Sequence, residues 1–191
     1  IAGECEKDLK VFKGNLKKQG YISEVKSVLS EFAQYGVDFE RLDDFMKEVP
    51  PESYLHYKLD DIRTIYEKFE EYLSEKYITK EEMLDVLSDA VPYSDILKGS
   101  VVAMDGFTGF TPVQNRLIGE LFSVCEKVMI TVMMDGRENP YVYEHPYQIF
   151  ALGKQMVTSL MKIAGEKKTE IEEPICLFER PVYRFRDCSE M

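Results

Sequence analysis

The sequence predicts an α/β chain: an N-terminal helical subdomain over residues 1–98, then an α/β subdomain over residues 99–191 built on part of a parallel sheet with flanking helices. Two observations carry this. Before Gly99 the apolar residues recur at three and four, the period of a helix face; beyond it they gather in short runs rich in β-branched residues. The two clearest runs, "SVVAM" and "VMITVMM", are separated by the helix-length "PVQNRLIGELFSVCEK", so they read as a βαβ unit with parallel strands buried on both faces.

Each element follows from local signals. Leu9, Phe12 and Leu16 form one helical run and Val25, Val28, Leu29 and Phe32 a second, with Gly20 and Gly36 placed as helix ends. A short helix spans Arg41 to Val49 and stops at Pro50 and Pro51. Leu55, Leu59, Ile62, Tyr66, Phe69 and Leu73 make one apolar stripe on a long helix, whose other face carries Glu67, Glu70, Glu71 and Glu75. Thr79 with Glu82 has the form of a capping box, opening a helix that runs to about Ala90 and closes at Pro92. Pro112 suits the first turn of the helix between the strands, a further helix covers about Tyr147 to Ala164, and "ICLFE" offers another strand.

Composition narrows the class. With 191 residues, 45% of them hydrophobic and 12% aromatic, the chain can bury a substantial core. It starts without methionine or a signal-like segment, and no apolar run approaches the ~20 residues that span a bilayer, so it reads as a soluble piece of a longer protein, without a membrane partner. Cys5, Cys125, Cys176 and Cys188 are scattered and form no CxxC pair, which points to a reducing cytoplasm and away from zinc or iron-sulfur ligation. His56 and His145 have no second ligand at helical spacing. The net charge of −11 opposes non-specific binding to a phosphate backbone. Two small basic groups, Lys13/Lys17/Lys18 and Arg180/Arg184/Arg186, read as solvated surface.

The stretch "VVAMDGFTGFTPVQ" puts Asp105 at the carboxyl end of a predicted strand, where open parallel sheets bind ligands and where a carboxylate can serve magnesium beside a phosphate. A haloacid-dehalogenase phosphatase would need an aspartate nucleophile where Ala103 stands. A motor ATPase would follow the aspartate with a glutamate, but Gly106 stands there. The phosphate-cradling loop is missing too, since Gly153-Lys154 lacks both the earlier glycine and the hydroxyl residue. As a third reading, Asp105 and Gly106 simply form the tight turn that ends a strand.

"VVAMDGFTGFTPVQNRLIGELF" resembles the D-G-F-T-G-F-T-P segment of the AddB (RexB) family, the B subunit of the bacterial ATP-dependent helicase-nuclease that processes broken DNA ends. "SEFAQYGVDFERLDD", "YKLDDIRTIYEKFEEYL" and "YITKEEML" are similar to that family's helical region, so the likeness covers most of residues 23 to 135. The resemblance implies a helicase-like, P-loop NTPase-type sheet, with residues 1–98 as an insertion ahead of the strand that ends at Asp105. Laid on the motor pattern D-E-x-Q-D, Asp105 matches the aspartate, while Gly106, Thr108 and Gly109 replace the other polar residues. After the next strand Asp135 persists, but Arg137, Glu138 and Asn139 follow without the phosphate-sensing glutamine.

The implied role is a degenerate, non-motor scaffold for DNA, itself not catalytic, within an ATP-dependent helicase and exonuclease of recombinational double-strand break repair. Its implied partners are the A subunit and DNA. ATP, magnesium and an iron-sulfur cluster are implied for the parent complex, with no cofactor in these residues. Phe107 and Phe110, flanked by Gly106 and Gly109, either stack on bases of a passing single strand or pack under the following helix. The alternative function is a helical protein-interaction module that merely shares an Asp-Gly turn.

Overall fold

The computed structural model describes residues 6–15, 18–74 and 80–177. Helices dominate: α1 (Gln19–Tyr35), α2 (Phe39–Glu48), α3 (Tyr54–Ser74), α4 (Lys80–Ala90) with a 3-10 turn at Val91–Tyr93, α5 (Pro112–Val124) and α6 (Ala151–Lys167). The strands β1 (Val101–Met104) and β2 (Lys127–Ile130) flank α5 in sequence. The fold is thus mixed α/β, mostly helical. Two compact units are formed, residues 1–95 with 111–120 and residues 96–110 with 121–191.

In the first unit, Leu29, Leu42, Val49, Leu59, Ile62, Ile65 and Tyr66 pack into one core with Leu9 and Phe12. The stripe on α3 is buried as its spacing predicts at Leu59, Ile62, Tyr66 and Leu73, whereas Leu55 is exposed and Ile65 takes a core place. Gly36 ends α1 in the left-handed region at φ 61°, with its N–H and that of Val37 satisfied by carbonyls of the last turn. Asp38 caps α2 by accepting the Arg41 N–H, so the helix begins before Arg41. Tyr66 is wedged against Phe32 and Phe39, at ring separations of 5.7 and 4.7 Å, and burial pushes its phenol up to about 12.

Several expectations are corrected. Leu9 and Phe12 are buried, but residues 6–15 form turns instead of a helix; Leu16 lies outside the described residues. What holds those turns is distant in sequence: the Asp61 carboxylate accepts the N–H groups of Lys10, Val11 and Phe12 at 2.8, 2.7 and 2.8 Å. Gly20 lies inside α1 and does not end a helix. The capping Thr79 lies outside the described residues, and Pro92 falls within the 3-10 turn after α4. Residues 175–177 of "ICLFE" have no regular structure, and the rest of that run lies outside the described residues.

In the second unit β1 and β2 pair in parallel, with Val101 opposite Lys127 and Met104 opposite Ile130. The apolar runs predict strands buried on both faces, and they are not: Val101 is 55% exposed and Met129 42%. The physical reason is that the sheet has two strands among the described residues, and alternate side chains therefore face the open side. Helix α6 starts later than its apolar pattern predicts because Gln148 fastens the preceding loop and Phe150 enters the helix in the left-handed region at φ 62°. No helix among the described residues is long and apolar enough to cross a membrane.

Candidate functional site

The carboxyl edge of the sheet is built by three short-range facts. The parallel register continues one step past the strands, where the Thr131 N–H donates to the Met104 carbonyl at 3.0 Å. This brings the Thr131 hydroxyl beside the first residues after β1, where it donates to the Asp105 carboxylate. The same oxygen faces the Gly106 N–H at 3.4 Å, so Thr131 ties the turn after β1 to the end of β2. Gly106 sits at φ +80°, a conformation that any side chain would strain, although an added Cβ would meet nothing within 4 Å. Asp105 is exposed.

Asp135 follows β2 but serves its own loop. Its carboxylate accepts the Arg137 backbone N–H and Nε at 2.9 Å each, and a guanidinium Nη2 at 2.7 Å. Arg137 beside it holds the Asp135 carboxyl well below the usual carboxylate range. Phe107 and Phe110 lie against each other with ring centroids 5.0 Å apart; Phe107 is 45% exposed and Phe110 half-buried. The structure therefore brings Asp105, Gly106 and Thr131 together at one edge and pairs the two phenylalanines beyond it.

Sequence reading misses Thr131 and the pairing of Lys154 with Glu138. Thr131 carries a signal, as a polar side chain interrupting the apolar run "VMITVMM" in the register opposite Asp105. Lys154, which the sequence offers only as a failed phosphate-loop lysine, is 6% exposed and donates to Glu138 at 2.6 Å. Its neighbour Gly153 lies close to Val132, whose Cγ1 would stand 3.4 Å from an added Cβ.

Asp105 has a threonine for a neighbour, Asp135 is neutralised by Arg137, and no group of three or more His, Cys, Asp or Glu side chains able to hold a metal occurs among the described residues. Cys125 accepts a long contact of 3.6 Å from the Ser100 hydroxyl, Cys176 is exposed, and Cys5 and Cys188 lie outside the described residues.

A helical unit and a parallel βαβ pair, with an acidic residue where the first strand ends, define a mixed α/β region. A family model described as "ADDB, N-terminal" matches residues 1–191, and the chain belongs to that family. It is 40% identical over 98% of its length to a protein of Lachnoclostridium phytofermentans named as the B subunit of an ATP-dependent helicase/deoxyribonuclease. Proteins of the same name from a Thermoanaerobacter species and from Clostridium acetobutylicum are 32% and 31% identical over 100% of the chain. The chain spans 16% of the length of each of these relatives.

Proposed function

We propose that the chain is the N-terminal region of the B subunit of an ATP-dependent helicase/deoxyribonuclease, and that it serves there as a non-motor, helicase-like scaffold for DNA. Family membership over residues 1–191 supports the subunit assignment. The observation that carries the non-motor reading is the turn after β1. Gly106 occupies the place of a water-activating glutamate in a left-handed conformation, and the neighbouring Asp105 is engaged by Thr131. Loss of the glutamate is therefore built into the backbone and goes beyond a change of side chain. The parent's motor belongs, on this reading, to the A subunit, with ATP and magnesium acting there and an iron-sulfur cluster held in another part of the parent.

DNA contact is assigned to the pair Phe107 and Phe110, whose rings sit beyond the sheet edge with Phe107 exposed. Base stacking on such rings contributes about 1–3 kcal/mol per base. In the complex of the full-length subunits, Phe107→Ala is expected to weaken retention of single-stranded DNA roughly tenfold while leaving the salt slope of binding unchanged, because no phosphate contact is removed. Unaltered affinity in both Phe107→Ala and Phe110→Ala, with the complex folded, would remove the DNA-contact assignment.

A further inference from the structure

Gly106 is the residue least able to hold its own turn. With no side chain and φ at +80°, it leaves the backbone between Asp105 and Phe107 open to several directions unless something outside the turn fixes it. That restraint comes from the residue after β2. Thr131 sits in the ladder through its N–H to the Met104 carbonyl, and its β-branched side chain has few rotamers. From this fixed point one hydroxyl is used in both senses: its proton goes to the Asp105 carboxylate, and its oxygen faces the Gly106 N–H at 3.4 Å. Two consecutive residues, Asp105 and Gly106, are thus held by a single oxygen atom.

Phe107 is the next residue. Its ring leans on Phe110, with centroids 5.0 Å apart and planes inclined by 34°, and it remains 45% exposed. A ring receives a base only on the face that its backbone presents, and a ring fixed in advance loses less conformational freedom when the base arrives. We infer that Thr131 is a positioning residue for the pair of Phe107 and Phe110, with Asp105 as its acceptor. The carboxylate that would serve magnesium in a motor here anchors a platform for the bases of single-stranded DNA. This rests on the DNA-contact reading above and adds to it the residues that set the platform. Thr131 itself is assigned no DNA contact, because its proton is already donated to Asp105.

Two other roles for these residues predict different behaviour. A metal-binding aspartate is impaired by Asp105→Asn as well as by Asp105→Ala, because both remove the charge. An acceptor for a hydroxyl is kept by the asparagine oxygen and lost only with alanine. A threonine that merely stabilises the fold would change DNA binding to the same extent whether or not the ring of Phe107 is present, since its effect would not pass through that ring.

The test measures the single-stranded DNA affinity of the complex of full-length subunits at one salt concentration. Thr131→Val, which keeps the shape and removes the hydroxyl, is expected to weaken binding roughly three- to tenfold, with Thr131→Ser within about twofold of the unmodified complex. Asp105→Ala should follow the valine variant and Asp105→Asn the serine one. In a Phe107→Ala background, Thr131→Val should add less than about twofold, since the ring through which it acts is gone. Full affinity in Thr131→Val while Phe107→Ala binds weakly overturns the positioning role and leaves the DNA contact standing. Losses that multiply in the double variant overturn it too, because Thr131 then acts elsewhere. Unaltered affinity in both Phe107→Ala and Phe110→Ala removes the DNA contact and this inference with it. Should Thr131→Val fail to assemble into the complex, Asp105→Ala with and without Phe107→Ala makes the same comparison.

Discussion

Asp61 and Asp105 are both aspartates beside apolar residues, and the protein uses them in opposite ways. Asp61 is 1% exposed and saturated: three backbone N–H groups of residues 10–12 converge on it, closing a contact some fifty positions apart in sequence. Asp105 stands in solvent at a strand end, with the Thr131 hydroxyl as its side-chain partner. A buried carboxylate that takes only backbone donors is part of the scaffold, because removing it strands the donors. An exposed one at a strand's carboxyl end is free to meet a ligand, and its chemistry is then decided by its neighbours. Here those neighbours are Gly106, which has no side chain, and Thr131, whose hydroxyl donates to Asp105 itself.

The sharpest way to break this contrast is to remove each carboxylate in turn. Asp61→Ala should cost roughly 3–5 kcal/mol in urea unfolding, because three buried donors lose their acceptor, whereas Asp105→Ala should cost under about 1 kcal/mol. Equal losses would mean that the two aspartates do not differ in kind. A smaller effect is expected from Gly106→Ala, about 1–2 kcal/mol, all of it from the left-handed backbone since the added methyl meets open space. A neutral result in the same melt would show that the turn relaxes and that Gly106 is not required by its conformation.

The smallest effect belongs to Glu70 on α3. Partial burial, with Glu82 nearby, raises its carboxyl above the ordinary 4.5. The folded state therefore binds this proton more tightly than the unfolded chain does. That contribution is complete below pH 4.5 and is lost as pH rises through the raised native value. At neutral pH the charge is a burden, so Glu70→Gln should stabilise by under about 0.5 kcal/mol once solvent screening is allowed for, and the gain should vanish in acid. Stability curves of the two proteins that run parallel across roughly pH 3 to 7, through the carboxylate range, would contradict this.

Much of the helical unit is legible because its signals are local. The three-and-four spacing of Leu59, Ile62 and Tyr66, and Gly36 as a left-handed helix end, need no knowledge of the rest of the chain. The turns around Leu9 and Phe12 read as a helix because apolar spacing cannot reveal a clamp supplied by Asp61; the one hint is that Asp61 lies four residues before the core residue Ile65. Strand pairing and parallel direction follow from the βαβ spacing, but strand burial does not, since it depends on what covers each face. At the sheet edge Asp105 and Gly106 are visible as a pattern, while Thr131 enters only through register. The apolar residues before α6 carry a helical pattern, and only the hydrogen bonds of Gln148 show that they form a fastened loop.

The central claim is that the edge at Asp105 no longer drives hydrolysis, and the rate of DNA-stimulated ATP hydrolysis by the complex of full-length subunits carrying Asp105→Asn tests it most directly. The rate is expected to stay within about twofold of the unmodified complex, because no transition-state contact is removed. A fall of roughly tenfold or more, in a complex that still assembles and binds DNA, would make Asp105 a working motor residue and contradict the account.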